Sequence, residues 1–123
     1  MTGSADSALR AALRALSARK ALRLVVLELG ERAYFTDHFV ICHGTSDRQV
    51  KTLAEAVIGQ VKEASGKKPS VEGLANGEWV LLDYGDFVVH IFNESAREFY
   101  RLESLWFDAN EVDPDSLAAE AAG

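Results

Sequence analysis

Two stretches rich in β-branched and aromatic residues stand close together in this sequence and constrain its fold more than any other feature. Residues 79–83 (WVLLD) and 87–92 (FVVHIF) are separated by the three residues Tyr84-Gly85-Asp86. A glycine in so short a loop supplies the positive φ that a tight turn between antiparallel strands requires. The sequence therefore predicts a β-hairpin, and the remaining elements must be arranged around it.

Two further strands and a long helix are predicted upstream of the hairpin. Residues 22–29 are almost continuously apolar, which is typical of an internal strand covered on both faces, and residues 39–43 form a second β-rich run. Ser46 and Gln49 have the S-x-x-Q spacing of a capping box, so we expect a helix to begin there. Its buried stripe is predicted to be Val50, Leu53, Ala54, Val57, Val61 and Ala64, and Gly66 with Pro69 is predicted to end it.

Amphipathic helices are also predicted on either side of these elements. A first helix is expected from Ser7, with an apolar stripe made of Leu9, Ala12, Leu13 and Leu16. The same Ala-, Arg- and Ser-rich composition is also found in organellar transit peptides, which is the alternative for this segment. A last helix is expected after Asn93, a good N-cap, with a stripe made of Ala96, Phe99, Leu102 and Trp106.

Alternating strands and helices with one hairpin predict a single α/β domain with a mixed sheet of about five strands and flanking helices. Residues 70–73 read as a short strand or an extended loop. The length of 123 residues fits one domain, which we place at residues 7–107. Residues 1–6 are expected to be a flexible N-terminus. Residues 108–123, which are acidic and interrupted by Pro114, are expected to be a flexible tail.

The charge of the chain is unevenly distributed. The sequence has 13 basic and 19 acidic residues, for a net charge of −6, but residues 72–120 contain two basic and twelve acidic residues, a local charge of −10. Such a segment repels the phosphate backbone of nucleic acids at long range and is complementary to a basic protein. We therefore expect a basic protein partner and little direct contact with nucleic acid.

The single cysteine and the absence of long apolar runs bear on the expected location of the protein. Cys42 has no partner for an intrachain disulfide, and we find no secretory signal pattern. No apolar run approaches the roughly 20 residues that cross a membrane. We expect a cytoplasmic protein that does not bind membranes.

A nucleotidyltransferase-like enzyme that uses Mg²⁺ and a nucleotide is the alternative that these motifs leave open. Residues 44–46 (GTS) lie at a strand-to-helix junction, where free backbone N–H groups can bind phosphate. Asp47 follows directly and places a negative charge in the first helical turn, where the phosphate would lie. The only Asp-x-Asp motif is in the tail, at residues 113–115, and Cys42 and His43 point to opposite faces of a strand. We therefore expect no metal site, no cofactor and no catalytic residues.

The first strand of the hairpin carries the best candidate for a binding site. Strand alternation places Trp79, Leu81 and Asp83 on one face and Val80, Leu82 and Tyr84 on the other. One explanation is that Trp79 seals the sheet against a helix. The other is that an exposed aromatic residue with acidic neighbours forms a hot spot for a protein partner.

These residues occur in blocks that resemble the ribosomal silencing factor (Iojap) family. The similarity covers roughly residues 8 to 108, and four blocks carry it: residues 37–50 (DHFVICHGTSDRQV), 72–73 (EG), 78–92 (EWVLLDYGDFVVHIF) and 97–106 (REFYRLESLW). Their order along the chain makes chance a poor explanation. His43 departs from the pattern, since a small polar residue is expected there.

The resemblance implies a non-enzymatic regulator with a nucleotidyltransferase-like α/β fold that lacks the catalytic carboxylates. Family members bind ribosomal protein fourteen of the large subunit and sterically block joining of the small subunit, which lowers translation when nutrients are short. They also self-associate. Carried over by motif, the implied partner-binding residues are Trp79 and Asp83 with Leu81, Tyr84, Glu78, Asp86 and Asp37.

Overall fold

The computed structural model describes residues 4–30, 36–106 and 109–115. Three α-helices lie at Ser4–Ala18 (α1), Asp47–Ser65 (α2) and Glu94–Tyr100 (α3), and a 3-10 helix lies at Leu102–Trp106. Six strands lie at Leu22–Glu28 (β1), His38–Gly44 (β2), Ser70–Glu72 (β3), Trp79–Asp83 (β4), Phe87–Asn93 (β5) and Asn110–Val112 (β6).

The strands form one open mixed sheet in the order β3-β4-β5-β2-β1-β6. β2 and β5 pair in parallel, and the other neighbouring strands pair antiparallel. This confirms the predicted α/β class and the hairpin, in which Gly85 has a φ of 90°. The sixth strand was not expected.

The two faces of the sheet are covered unequally. α1 and α2 pack against each other and against one face, where they enclose the larger core with Val26, Val40, Val80, Val89 and Ile91. The opposite face carries a smaller core, which includes Leu27, Phe39, Ile41, Val88 and Phe92. α3 lies mainly against β5 and β2 and also contacts β1 through Arg97 and β4 through Tyr100. The face with the smaller core is thus covered by a short helix, and Trp79 lies on this face.

The capping signals around α2 act as predicted. Ser46 is the N-cap and accepts a hydrogen bond from the backbone N–H of Gln49 at 3.1 Å. Gly66 ends the helix with a φ of 77°, a conformation that glycine adopts at little cost. The buried residues of the helix are Val50, Leu53, Ala54, Val57 and Val61, five of the six predicted, while Ala64 is exposed.

The first helix confirms its predicted stripe but begins at Ser4 rather than Ser7. Leu9, Ala12, Leu13 and Leu16 are all buried. In the described part of the chain, no helix is both long enough and apolar enough to cross a membrane.

The prediction of one continuous last helix is wrong. α3 ends at Tyr100 because Arg101 adopts a left-handed conformation, with a φ of 49°, and its backbone N–H caps the carbonyl of Arg97. Phe99, predicted to be buried, is 80% exposed, whereas Arg97 is buried. The side chain of Trp106 lies outside the described residues.

The structure also departs from the expectation of a flexible tail. β6, at residues 110–112, pairs antiparallel with β1, so that Val26 lies opposite Val112. The side chain of Asn110 donates a hydrogen bond to the Glu28 carboxylate at 3.1 Å. Three residues of the expected tail therefore form an edge of the sheet. The rest of the expected N-terminal and C-terminal segments lies largely outside the described residues.

Candidate functional site

Alternation along β4 gives Trp79 and Leu81 a different environment from their neighbours. Val80 and Leu82 are fully buried beneath α1 and α2. Trp79 and Leu81 lie on the opposite face, where both are half-buried against the smaller core. The structure therefore brings together the two apolar residues predicted for the binding surface.

Trp79 is anchored on its inner side by aromatic contacts. Its ring stacks on Phe92, with centroids 4.9 Å apart, and lies 4.7 Å from the ring of Tyr100 at an angle of 47°. The indole N–H donates to Nδ1 of His90 at 3.2 Å. Trp79 is thus neither a core residue nor a freely moving surface residue. Its ring is held in one orientation and keeps part of its surface open to solvent.

His90 is the polar support beneath Trp79. It lies opposite Leu81 in the hairpin and is 4% exposed, and its ring meets that of Phe39 edge to face at 4.5 Å. Burial lowers the pKa of His90 to about 4. Because Nδ1 accepts a hydrogen bond from the indole N–H, the ring carries its own proton on Nε2, which is buried and has no hydrogen-bond partner among the described residues. The sequence predicts that His90 lies in a strand, but it does not indicate that His90 supports Trp79.

The acidic residues of the predicted site divide into two groups. Asp83, Asp86 and Asp37 are exposed at the hairpin end of β4. The Asp83 carboxylate accepts from the backbone N–H of Gly85 at 2.8 Å, and the N–H of Asp37 donates to the carbonyl of Asp86 at 2.9 Å. Glu78 is exposed just before the other end of β4, five residues from Asp83, which is about 17 Å along a strand. The half-buried apolar surface therefore lies between three aspartates at one end of β4, of which Asp86 is 3.5 Å from the Lys67 ammonium, and Glu78 at the other end.

Tyr84 does not join this surface. Its side chain belongs to the larger core on the other side of the sheet, is 8% exposed and stacks on Phe87 with centroids 4.8 Å apart. Burial raises the pKa of its hydroxyl to about 12. The expectation that Tyr84 touches a partner does not fit this position, because alternation turns it away from Trp79.

The exposed aromatic residues of α3 extend the surface around Trp79. Phe99 is 80% exposed and Tyr100 45% exposed, and their rings meet edge to face at 5.0 Å. Together with Glu78, Ser95 and Ala96 they line an open groove of about 360 Å³. We call Trp79, Phe99 and Tyr100 the aromatic surface. Sequence reasoning missed Phe99 and Tyr100 because it continued the helix past Arg101 and turned Phe99 inward.

The loop at residues 44–46 is filled by the chain's own side chains. The Gln49 carboxamide oxygen accepts from the backbone N–H and the hydroxyl of Thr45, at 2.7 and 2.8 Å. A Cβ added at Gly44 would lie 3.2 Å from the same oxygen. These contacts occupy donors and space that a nucleotide phosphate would need.

The titratable groups near this loop give no sign of a reactive centre. Cys42 is fully buried, and burial raises the pKa of its thiol to about 12. Within residues 4–30, 36–106 and 109–115, no group of three or more His, Cys, Asp or Glu side chains is placed to hold a metal ion. The alternative of a nucleotidyltransferase-like enzyme gains no support from these contacts.

The sequence of this chain is similar to those of ribosomal silencing factors and Iojap-related proteins. The profile of a family described as ribosomal silencing factor during starvation (RsfS) matches residues 2–123. The ribosomal silencing factor RsfS of Bacillus subtilis is 38% identical over 109 residues, 89% of this chain and 92% of that protein. The mitochondrial Iojap-related protein of Arabidopsis thaliana is 38% identical over 92 residues, 71% of this chain and 50% of that protein.

Solved structures share the fold as well. The crystal structure of a Chromobacterium violaceum protein matches with a TM-score of 0.78 at 36% identity, over 86% of this chain and 87% of that one. A Bacillus halodurans protein matches with a TM-score of 0.73 at 36% identity, over 85% of this chain and 95% of that one. The profile match extends beyond residues 8 to 108, where the sequence resembles the family, and runs from residue 2 to residue 123. With a matching fold and matching sequence over most of its length, this chain belongs to the ribosomal silencing factor family.

Proposed function

We propose that this protein is a non-enzymatic translation repressor that binds ribosomal protein fourteen of the large ribosomal subunit and sterically blocks joining of the small subunit. Family membership supports a ribosome-associated silencing role. We further propose that the protein acts in the cytoplasm under nutrient limitation and that it self-associates.

The single observation that carries the proposal is the state of Trp79. Residues that dominate protein interfaces are large aromatic side chains that are already held in place before binding, because little conformational entropy is then lost. Trp79 is stacked on Phe92, hydrogen-bonded to His90 and still partly exposed to solvent. Leu81 and the exposed aromatic residues of α3 enlarge the apolar patch around it.

The charges around this patch favour a basic partner. Asp83, Asp86 and Asp37 lie at one end of β4 and Glu78 at the other, and all four side chains are exposed. Negative charge at the rim of an apolar patch attracts and orients a basic protein surface. We therefore propose Trp79, Leu81, Asp83, Glu78, Asp86 and Asp37 as the partner-binding residues, without Tyr84.

Two experiments with purified ribosomal subunits test the proposal. We expect the protein to cosediment with the large subunit alone at low salt, and not with the small subunit. We also expect it to reduce the light-scattering signal that reports joining of the two subunits. Absence of cosedimentation at low salt would reject the proposed partner. Cosedimentation with unchanged subunit joining would reject the steric mechanism.

A further inference from the structure

A second surface of the protein has the opposite charge from the rest of the chain. A cavity of about 370 Å³ lies between the start of β1 and the end of α3 and is lined by Arg23, Arg97, Glu98, Arg101 and Ser104. Three arginines against one glutamate give this lining a formal charge of +2, whereas the whole chain has a net charge of −6. The aromatic surface described above shares none of these residues.

Two of these arginines have an unusual backbone conformation. Arg23 has a φ of 48° and Arg101 a φ of 49°, and both are in the left-handed region that non-glycine residues rarely adopt. Such conformations persist only where the surrounding structure imposes them, and they cluster at functional sites. Both arginines border the same cavity.

Arg97 is hydrogen-bonded to both of these residues. It is 3% exposed, and its Nη1 donates to the carbonyl of Arg23 at 2.9 Å and to that of Leu22 at 3.3 Å. The same nitrogen lies 3.0 Å from Nδ1 of His43. On the other side of the cavity, the backbone N–H of Arg101 donates to the carbonyl of Arg97, and that of Ser104 to the carbonyl of Arg101, both at 3.0 Å. One buried side chain and its helix thus connect both walls.

We propose that this cavity is a binding site for a phosphate group. The guanidinium groups of Arg23 and Arg101 and the hydroxyl of Ser104 are its direct donors, since arginine presents a planar pair of N–H groups that matches phosphate oxygens. Arg97 is a positioning residue. Glu98, whose carboxylate lies 4.0 Å from Arg23 with both side chains more than half exposed, is a weak partner that phosphate displaces. This inference does not rest on the proposed function.

Two negatively charged features beside the cavity oppose the binding of an anion. The C-terminal end of a helix carries at most about half a negative charge, and α3, with seven residues, is short. Glu98 contributes one further negative charge. Three guanidinium groups outweigh both, so the cavity remains attractive to an anion at low ionic strength.

Titration with pyrophosphate, followed by NMR of the ¹⁵N-labelled protein, tests the site. We expect saturable shifts of the Arg101 and Ser104 backbone signals. Arg101→Asn and Arg23→Asn should each weaken binding about tenfold, because each removes charged hydrogen bonds. Asparagine tolerates the left-handed conformation, so both variants should keep the wild-type fold and melting temperature. Arg101→Lys retains the charge and should recover part of the affinity.

The control is Arg48→Gln, which removes an exposed arginine outside this cavity and should leave pyrophosphate binding unchanged. A short RNA oligonucleotide, added in competition, identifies the source of the phosphate. Displacement of pyrophosphate by the RNA assigns the site to an RNA backbone, and lack of displacement assigns it to a small phosphorylated ligand. The inference is overturned if neither pyrophosphate nor RNA shifts these signals, or if Arg48→Gln weakens binding as much as Arg101→Asn.

Discussion

Trp79 shows how one side chain serves both packing and recognition. Its inner edge completes an aromatic cluster with Phe92 and Tyr100, and its indole N–H is hydrogen-bonded to a buried histidine. Its outer part remains available to a partner. Because the ring is already fixed, binding requires little further ordering, and that favours affinity. The same arrangement means that Trp79 contributes to stability as well.

Replacing Trp79 should therefore affect binding and stability by different amounts. We expect Trp79→Ala to weaken binding to the large subunit by about 2 kcal/mol or more, roughly thirtyfold, because a preformed aromatic contact is lost. It should also lower the free energy of unfolding by about 1–2 kcal/mol, since the residue is half-buried. Cosedimentation and thermal melting measure the two effects.

Trp79→Phe is the matched control, because it keeps an aromatic ring on Phe92 but removes the indole N–H. It should retain most of the stability and lose less binding than Trp79→Ala. If Trp79→Ala is fully unfolded, Trp79 is a core residue that the fold requires. If the variant is folded and binds the large subunit as the wild type does, Trp79 is not part of the interface.

His90 should make the stability of the protein depend on pH. Burial lowers its folded-state pKa from 6.5 to about 4, so between these values the unfolded state takes up a proton that the folded state excludes. Above pH 6.5, His90 is neutral in both the folded and the unfolded state and should not lower the free energy of unfolding. The free energy of unfolding should fall by up to about 3 kcal/mol as the pH decreases from 6.5 to 4.

Urea unfolding at several pH values measures this dependence. His90→Asn is the control, because asparagine can accept the Trp79 indole N–H but does not titrate. The pH slope between 6.5 and 4 should be smaller in this variant than in the wild type. Identical slopes in the two proteins would show that His90 is not the group responsible.

At the scale of elements, short segments at the ends of the sheet are held by contacts that are remote in sequence. α3 has only seven residues, too few to be stable alone, and Arg97 ties it to β1 through the carbonyls of Leu22 and Arg23. β6 has three residues and is held by pairing with β1. β1 therefore anchors both elements.

Removing the guanidinium of Arg97 should destabilise the docking of α3. We expect Arg97→Met, which keeps a long side chain but no donors, to lower the free energy of unfolding by about 2–3 kcal/mol, because the partly buried carbonyls of Leu22 and Arg23 lose a charged hydrogen-bond donor. Arg48→Met, at an exposed position, should change it by less than about 0.5 kcal/mol. Denaturant titration of both variants checks this. Equal effects would show that Arg97 does not hold the helix.

Two truncated chains distinguish the contribution of β6 to stability from that of the residues that follow it. A chain ending at Ala109 loses the pairing with β1, and we expect its melting temperature to fall by about 5 °C. A chain ending at Asp115 keeps the strand and should melt like the full protein. A melt unaffected by loss of residues 110–123 would show that β6 contributes nothing to stability.

At the scale of the whole molecule, charge is separated by region. Residues 72–120 carry a charge of −10 and include most of the proposed partner-binding residues, and the two basic residues of this segment, Arg97 and Arg101, both lie at the arginine-lined cavity. Exposed charges act over about 8–10 Å at physiological ionic strength. Association with a basic partner should therefore depend on salt.

We expect the affinity for the large subunit to decrease as salt rises, because salt screens the attraction between the acidic surface and a basic protein. Asp83→Asn keeps an acceptor for the Gly85 N–H but removes one charge, so it should reduce both affinity and the salt dependence. Glu63→Gln, at an exposed position on α2, is the charge-matched control and should change neither. Salt-independent cosedimentation would contradict the electrostatic part of the interface.

Local sequence determined the parts of this fold whose interactions are local. The hairpin loop, the Ser46 and Gly66 caps of α2 and the division of β4 into two faces each depend on residues a few positions apart, so strand and helix periodicity predicted them. Periodicity also placed Trp79 and Leu81 on one face. It could not show whether a helix covers Trp79.

Tertiary structure decided the features that depend on residues far apart in sequence. Arg97 is buried because its guanidinium donates hydrogen bonds to the carbonyls of Leu22 and Arg23, which are 75 and 74 residues away in sequence. With Arg97 on the inner side of α3, Phe99 is exposed. β6 forms because the edge of β1 is free to pair with it. His90 stays neutral because it is buried in β5 between β4 and β2, with the Trp79 indole against it. No local pattern encodes these contacts, since their energy arises only when the sheet has brought the partners together.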